Sequence, residues 1–290
     1  MGLRSKFNLA LLIAFLIGFA GAGVALQRLF IENAREQVLQ DARIMLNEAN
    51  GVRQFTDDQI VPLAANQNAT KFIAASVPSF VAQTTFKTVQ KHFPDFAYRE
   101  PALNPTNPND RPADWERDII NDFRNNPGLH ELIGERDTPT GPSLSLSRPI
   151  TIDDPTCLSC HDTPDKAPAS LIATYGSANG FGWKLHETVG AQIVSVPMAL
   201  PLERAHRIFL TFMAILLAVF VLIAVILNLL LHYMVIRPVV IVSRIANAVS
   251  LGETGVEDYH RKGRDEISVL AASFNRMRRS LDSALAMLER

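Results

Sequence analysis

"IFLTFMAILLAVFVLIAVILNLLL", residues 208 to 231, runs without a single charged side chain. As a helix it would rise about 36 Å, more than the roughly 30 Å hydrocarbon core of a bilayer. A second such run, "LALLIAFLIGFAGAGVAL", covers residues 9 to 26 and would rise about 27 Å. Both read as membrane spans, and together they divide the chain. The expected layout is a short inner N-terminus over 1–8, a first span over 9–29, an outer domain over 30–206, a second span over 207–234 and an inner module over 235–290.

Basic residues near the span ends set the orientation. Arg4 and Lys6 precede the first span, and Arg237 and Arg244 follow the second, which places both termini in the cytoplasm. Arg204 and Arg207, on the outer side of the second span, weaken that count. The basic start and the small residues Ala20 to Gly23 also fit a cleaved signal peptide, although the apolar run exceeds the roughly 7 to 15 residues of a signal h-region. Lys+Arg 28 against Asp+Glu 29 leaves no basic excess for nucleic acid, so membrane lipid is the first expected partner.

The outer segment holds the only two cysteines, in "PTCLSCHDTP" at 155 to 164. Three chemistries compete for Cys157, Cys160 and the adjoining His161. A redox dithiol needs no histidine and usually sits in a βαβ setting, which Pro149, Pro155, Pro164 and Pro168 do not supply. A structural zinc needs a fourth ligand from a distant His or carboxylate. Covalent haem uses every residue of the motif: two thiols add across the vinyl groups, and the histidine reaches the iron. The expected cofactor is one covalently attached haem c, with Cys157 and Cys160 as its thioether anchors and His161 as the proximal iron ligand.

With both sulfurs in thioethers, a thiolate cannot fill the second axial position. His232 and His260 lie beyond the outer segment, and His206 sits at the membrane edge. Met45, His92, His130, His186 and Met198 remain, or no protein ligand at all. For each one taken alone the ordinary reading is a surface histidine or a core methionine. The choice sets the potential and decides between redox and gas chemistry.

The rest of the outer segment reads as mixed α and β. Val38, Ala42, Met45, Leu46, Ala49 and Val52 recur at helical spacing, so a long helix continues out of the first span. Further helices are expected over Pro78 to His92 and Ala113 to Asn126, and a short strand near Asp95 to Glu100. "HELIGER", "SLSLSRPI" and "FGWKLHETVGAQIVSVPM" alternate like strands, with "GSANG" as the turn between the last two, so the domain should end in a hairpin. The fold class is α+β.

Three blocks in order, "YREPALNPTNPNDRPADWERDIINDFR" (98–124), "CLSCH" (157–161) and "YGSANGFGWKLHETVGAQIVSVPM" (175–198), resemble the bacterial c-type haem sensor family with a PAS-like extracytoplasmic domain. The likeness covers most of residues 35 to 200. It implies a PAS-like haem domain between two transmembrane helices, in the periplasm of a two-pass protein of the bacterial inner membrane, followed by a HAMP module. It also implies haem on Cys157 and Cys160, iron on His161, and a pocket wall near Asn104, Pro105, Asn107 and Trp115. For those polar residues Asx-turn and cap chemistry is the competing role. Arg53, Arg99 and Arg148 are candidates to pair with propionates.

Beyond the second span, Ile241, Ile245 and Ala248 follow a four-three spacing. Ile267, Leu270, Phe274, Met277, Leu281, Ala284 and Leu288 alternate steps of three and four, the period of a coiled-coil seam. With Pro238 at the entrance and a connector ending in Asp265-Glu266, this resembles HAMP, an all-α parallel bundle made by two chains, so a homodimer is expected. The competing structure is a plain membrane-proximal pair of helices. No kinase, cyclase or methyl-accepting segment follows, so a separate cytoplasmic signalling partner is expected, along with a small gas or redox partner outside. No nucleophile, base and orienter recur at recognisable spacing, so an enzyme is not expected. Signal transduction through HAMP is the expected function; the alternative is a membrane-anchored electron carrier.

Overall fold

The protein's computed structural model describes residues 2–68, 71–253, 256–261 and 263–288. Thr254, Gly255 and Lys262 of the expected connector, and Glu289 and Arg290, lie outside the described residues. The chain divides into two compact units, Gln27–Ile208 on one side and Met1–Leu26 with Phe209–Arg290 on the other.

The Gln27–Ile208 unit is a four-stranded antiparallel sheet with helices on both faces. Helix α1 (Leu3–Phe55) supplies the first layer and passes through one π turn (Thr56–Ile60) into α2 (Val61–Asn68). Helix α3 (Pro78–Gln90) begins at a proline, where a missing N–H costs nothing. Then follow β1 (Ala97–Arg99), α4 (Asp114–Asn125), β2 (Leu132–Thr138) and β3 (Gly141–Thr151). Two short helices, α5 (Leu158–His161) and α6 (Ala169–Tyr175), precede β4 (Thr188–Pro197). The strand order is β1-β4-β3-β2.

Alternation on the strands explains the two layers. Leu144, Leu146, Val194, Val196 and Tyr98 point to one face, where they cluster with Val38, Ala42, Leu46 and Ala49 of α1 and with Ala82 and Phe86 of α3. The helical spacing read along α1 is thus its sheet-facing stripe. The other face packs Ala191 and Ile193 against Ile119, Ile120 and Phe123 of α4.

The last two strands do pair antiparallel, but no tight turn at GSANG joins them. Thr188 to Pro197 pairs with β3 from Ser143↔Pro197 to Thr151↔Thr188, but residues 181–187 of the supposed strand lie in no strand. The tight hairpin is instead β2–β3, closed at Thr138↔Gly141. The link between β3 and β4 is therefore a long excursion, residues 152–187, that carries the cysteines and holds a helix, α6, for which no expectation was read from the sequence.

In the other unit, α7 (Ala199–Leu230) passes through a π turn (Leu231–Ile236) into α8 (Arg237–Ser250). Phe15 of α1 stacks on Phe220 of α7 at 3.5 Å. Two helices, Arg4–Ala64 and Ala199–Ser250, are long and apolar enough to cross a membrane. Helix α9 (Glu266–Leu288) starts at Asp265, whose carboxylate accepts from Ser268 N at 2.7 Å. The Ser268 hydroxyl and backbone N–H beside it hold the Asp265 carboxyl below its usual pKa. Arg261 and the Arg278–Asp258 ion pair (2.6 Å) pin the connector to the helix.

Within this chain α9 buries Ser268, Ala271 and Asn275, while Leu270, Met277 and Leu281 of the expected seam stay exposed. The side chain of Leu288, the last seam position, lies outside the described side chains.

The α1 stripe makes Leu46 a sensitive position, since its side chain is fully buried between helix and sheet. Leu46→Ala should lower stability by about 2–5 kcal/mol through lost burial and a residual cavity, read by urea unfolding of the detergent-solubilised chain. Ile44→Ala, on the exposed side of the same helix, should leave that transition within about 0.5 kcal/mol of the parent.

Candidate haem site

The β3–β4 excursion is closed at its base by Ile152 N donating to Glu187 O (3.0 Å) and His186 N donating to Ile152 O (2.8 Å). Inside it, the Asp154 carboxylate accepts from Thr156 N at 2.8 Å and starts a single 3₁₀ turn, Pro155–Cys157, that runs straight into α5. Three residues make about one turn, so Cys157 and Cys160 share one side of this short helix and His161 follows on its last turn.

Both cysteines are half-buried and unbridged. Burial pushes the Cys157 thiol up, and the Asp154 and Asp57 carboxylates push it further, against a smaller opposing effect from Arg53. A redox dithiol normally depends on a depressed thiol pKa, and Cys157 has the reverse. Among the described residues no group of three or more His, Cys, Asp or Glu side chains gathers in a metal-holding cluster. A four-ligand zinc site therefore finds no support around Cys157 and Cys160.

His161 is fixed from three sides. Its ring stacks on Trp183 with centroids 3.9 Å apart and planes within 9°. Its Nδ1 lies 2.7 Å from Gly180 O and 3.5 Å from the Thr106 hydroxyl. Burial lowers the imidazole pKa, with the Gly180 bond opposing, so the ring is held neutral. A neutral ring whose Nδ1–H donates to a carbonyl has its lone pair on Nε2. That is the arrangement in which an imidazole binds a metal while its second nitrogen is oriented by the protein.

The carbonyl itself is placed by residues far away in sequence. Ala191 N donates to Pro101 O and Leu103 N to Val189 O, both at 3.0 Å, laying residues 101–103 along β4. This close approach needs Gly190, where a Cβ would stand 2.5 Å from Pro101 O. Asn104 then follows at the right place to hold the glycine turn: its Oδ1 accepts from Gly180 N and its Nδ2 donates to Phe181 O, each at 3.2 Å. Gly180 has φ +85°, and a Cβ there would lie 2.8 Å from Thr106 Cα, so glycine is required twice over.

The residues weighed for the second axial position go to different places. Met198 is buried in the main core and Met45 packs against it. His92 is exposed past the end of α3. His130 and His186 line one cavity of about 540 Å³ together with Arg53, Asn50 and Gln192. His186 has φ +61° and faces Asp153 at 3.4 Å.

The three arginines are engaged by protein groups: Arg53 with Glu100, Arg99 with Glu116 at 3.4 Å, and Arg148 with Glu131 at 2.9 Å. Of the polar block, Asn107 caps its own turn by accepting from Asn109 N, the Asx role, and Trp115 lies under Arg136, with the guanidinium 3.7 Å from its ring centroid.

Sequence reasoning missed the individual roles of Asn104, Thr106, Gly180 and Trp183. The glycines of "GSANG" were the available signal, but they read equally well as a hairpin turn.

Comparison with known proteins places these features in a family. Residues 31–197 match the family described as Tll0287-like, and residues 230–283 match the HAMP domain. A solved structure described as the crystal structure of the cyanobacterial heme-protein Tll0287 is similar at a TM-score of 0.41 and 20% identity, over 52% of this chain and 94% of that one. No curated protein matches the chain.

The lowered pKa of His161 has a definite sign. The unfolded chain takes up a proton near the ordinary histidine value of about 6.5, and the folded chain resists it, so stability should fall as pH drops below about 6.5. Urea unfolding of the haem-free chain at pH 7.5 and 5.5 should show that loss, and His161→Gln should shrink the difference between the two values.

Proposed function

The chain belongs to the Tll0287-like family of haem-sensor domains and carries a HAMP domain, and on that footing we propose that it senses outside the membrane through a haem c and signals to a separate protein inside. The observation that carries this is the pairing of two unbridged thiols one helical turn apart with a neutral His161 whose Nε2 is left open by the Gly180 bond. Such a donor set fits haem better than zinc or a dithiol. Each thiol would add across one vinyl group, the sulfur to one carbon and the proton to the other, without an oxidant. Bound there, haem supplies an iron whose oxidation state or ligation can change.

The chain's own residues do the rest. Trp183, Gly180 and Asn104 hold the His161 plane and tautomer, so that Nε2 is the nitrogen that would bind an iron. His130 and His186 share a cavity with Arg53, whose charge acts on the Cys157 thiol, and they are the first residues to substitute in the search for the second axial ligand. Met45, Met198 and His92 follow.

The domain limits proposed are 30–206 for the haem domain in the periplasm and 235–290 for the cytoplasmic module, in a two-pass inner-membrane protein. Signalling would run through α7 to a HAMP module with two arrangements, the bistable element that coupling requires. The exposed Leu270, Met277 and Leu281 are the face on which two chains would dimerise. HAMP favours sensing over electron carriage, because a carrier needs no cytoplasmic converter. No catalytic step is assigned.

Mass analysis of the mature chain should find one haem adduct on the peptide holding Cys157 and Cys160, and Cys157→Ala with Cys160→Ala should abolish covalent attachment. His161→Ala should keep the adduct and change the iron's visible spectrum. With Leu270→Cys in both copies, crosslinking should differ between oxidising and reducing conditions. Equal crosslinking with rapid haem oxidation and reduction by soluble partners would instead mark an electron carrier.

A further inference from the structure

A cavity of about 400 Å³ opens on the sheet face turned away from the α1 stripe, and it shares no residue with the cysteine turn. Its floor is chemically odd for a central strand. β3 reads Ser143-Leu144-Ser145-Leu146-Ser147, so the leucines go to the α1 side and the serines to the other. All three serines are buried. Ser143 donates to Val196 O and Ser145 to Gly134 O, both at 3.2 Å. A hydroxyl whose proton is already donated offers only lone pairs to anything above it. At the inner end of the same row, Ser147 Oγ is buried with no partner.

The wall carries two arginines in different states. Arg99 faces the buried carboxylate of Glu116 at 3.4 Å and donates to Arg111 O at 3.0 Å. Arg136 has no carboxylate partner among the described residues; its guanidinium rests on the Trp115 ring at 3.7 Å. Stacking holds the planar fork in place and leaves its N–H edge free to meet a carboxylate in two-point fashion. Asp95 is an exposed carboxylate at the mouth.

We propose that this cavity binds a small organic carboxylate that carries an N–H or O–H donor next to the carboxyl group, the pattern of an amino or hydroxy acid. One unpaired cation calls for one anionic group. Acceptor-only serine oxygens call for a donor on the ligand. Ala97, Ile193 and Pro197 of the lining take its carbon skeleton. Ser195 and Pro197 of the lining belong to β4, which ends just before α7 begins at Ala199, so the bound acid rests on the strand that leads into the second apolar helix. The site is a second, chemical input beside the one at the cysteine turn, and it stands without that assignment.

Isothermal titration of the full-length chain in detergent micelles tests this with two matched series: L-alanine, L-lactate and propionate, and L-phenylalanine, L-phenyllactate and 3-phenylpropionate. At least one donor-bearing acid should bind, with its donor-free match at least about tenfold weaker, as expected for one lost hydrogen bond to a buried acceptor. Binding by the amino acid alone assigns the donor to an ammonium near Asp95, and binding by the hydroxy acid alone assigns it to a hydroxyl over the serines.

Arg136→Gln should weaken binding about 10- to 100-fold, the loss of a charged hydrogen bond, whereas Arg124→Gln, away from the cavity, should leave it unchanged. Should Arg136→Gln fail to fold, Arg136→Lys, which keeps the charge and loses the fork, should still bind at least about fivefold more weakly. No heat from any of the six acids, equal binding of the donor-free acids, or undiminished affinity in a folded Arg136 variant would overturn the proposal.

Discussion

The Gln27–Ile208 unit depends on one packed seam: Val38, Ala42, Leu46 and Ala49 of α1 set against Leu144, Leu146, Val194 and Val196 of the sheet. A four-stranded antiparallel sheet with a bare apolar face would not stand in water, and the long helix covers that face at the spacing of its own turns. Because the α1 residues in the seam are small or branched, helix and sheet approach closely along several turns. The same helix continues without a break into the apolar segment at residues 9–26.

Where the seam ends, polar chemistry takes over. Arg53 of α1 meets the buried Glu100 carboxylate, Tyr98 donates its hydroxyl to Glu100 Oε1 at 2.6 Å, and Gln192 ties the Tyr98 oxygen to Asn50 of α1. Burial raises the Glu100 pKa, with Arg53 and Tyr98 acting the other way. Removing one member of such a group leaves a charge or a dipole buried without compensation, which costs more than the group as a whole contributes. This network joins α1, β1 and β4 beside the end of the fold that carries Cys157. A change at the cysteine turn thus meets a region held by directional bonds, next to a seam held by apolar contact.

The two faces of β3 divide the domain's chemistry. Leucines serve the seam, and serines form a polar floor that α4 covers only in part. The long β3–β4 excursion adds a third region at the strand ends, where His161 is oriented by a carbonyl that Asn104 holds from the far side of the sequence. Each region rests on register: a slip of one residue along β3 would exchange the serine and leucine faces and carry the excursion with them.

Much of this was legible in the residues themselves. The two apolar runs, the helical stripe on α1, the Cys157-x-x-Cys160-His161 spacing and the helix α9 are patterns along the chain, set by side-chain chemistry and by the periods of helices. Helices α3 and α4 and strands β1 to β3 came within a few residues of their expected limits for the same reason. The excursion between β3 and β4 did not, because strand-like alternation at 181–187 is a local pattern and pairing is not; only the register against β3 decides where β4 begins. Likewise Asn104, Gly180 and His161 are separated by 76 and 19 positions, and a polar side chain's partner over such spans is chosen by the sheet that brings the segments together. Hydrophobicity and spacing belong to the sequence, but which nitrogen of His161 is left free belongs to the tertiary structure, since that depends on a carbonyl whose direction is fixed by strands far apart in the chain.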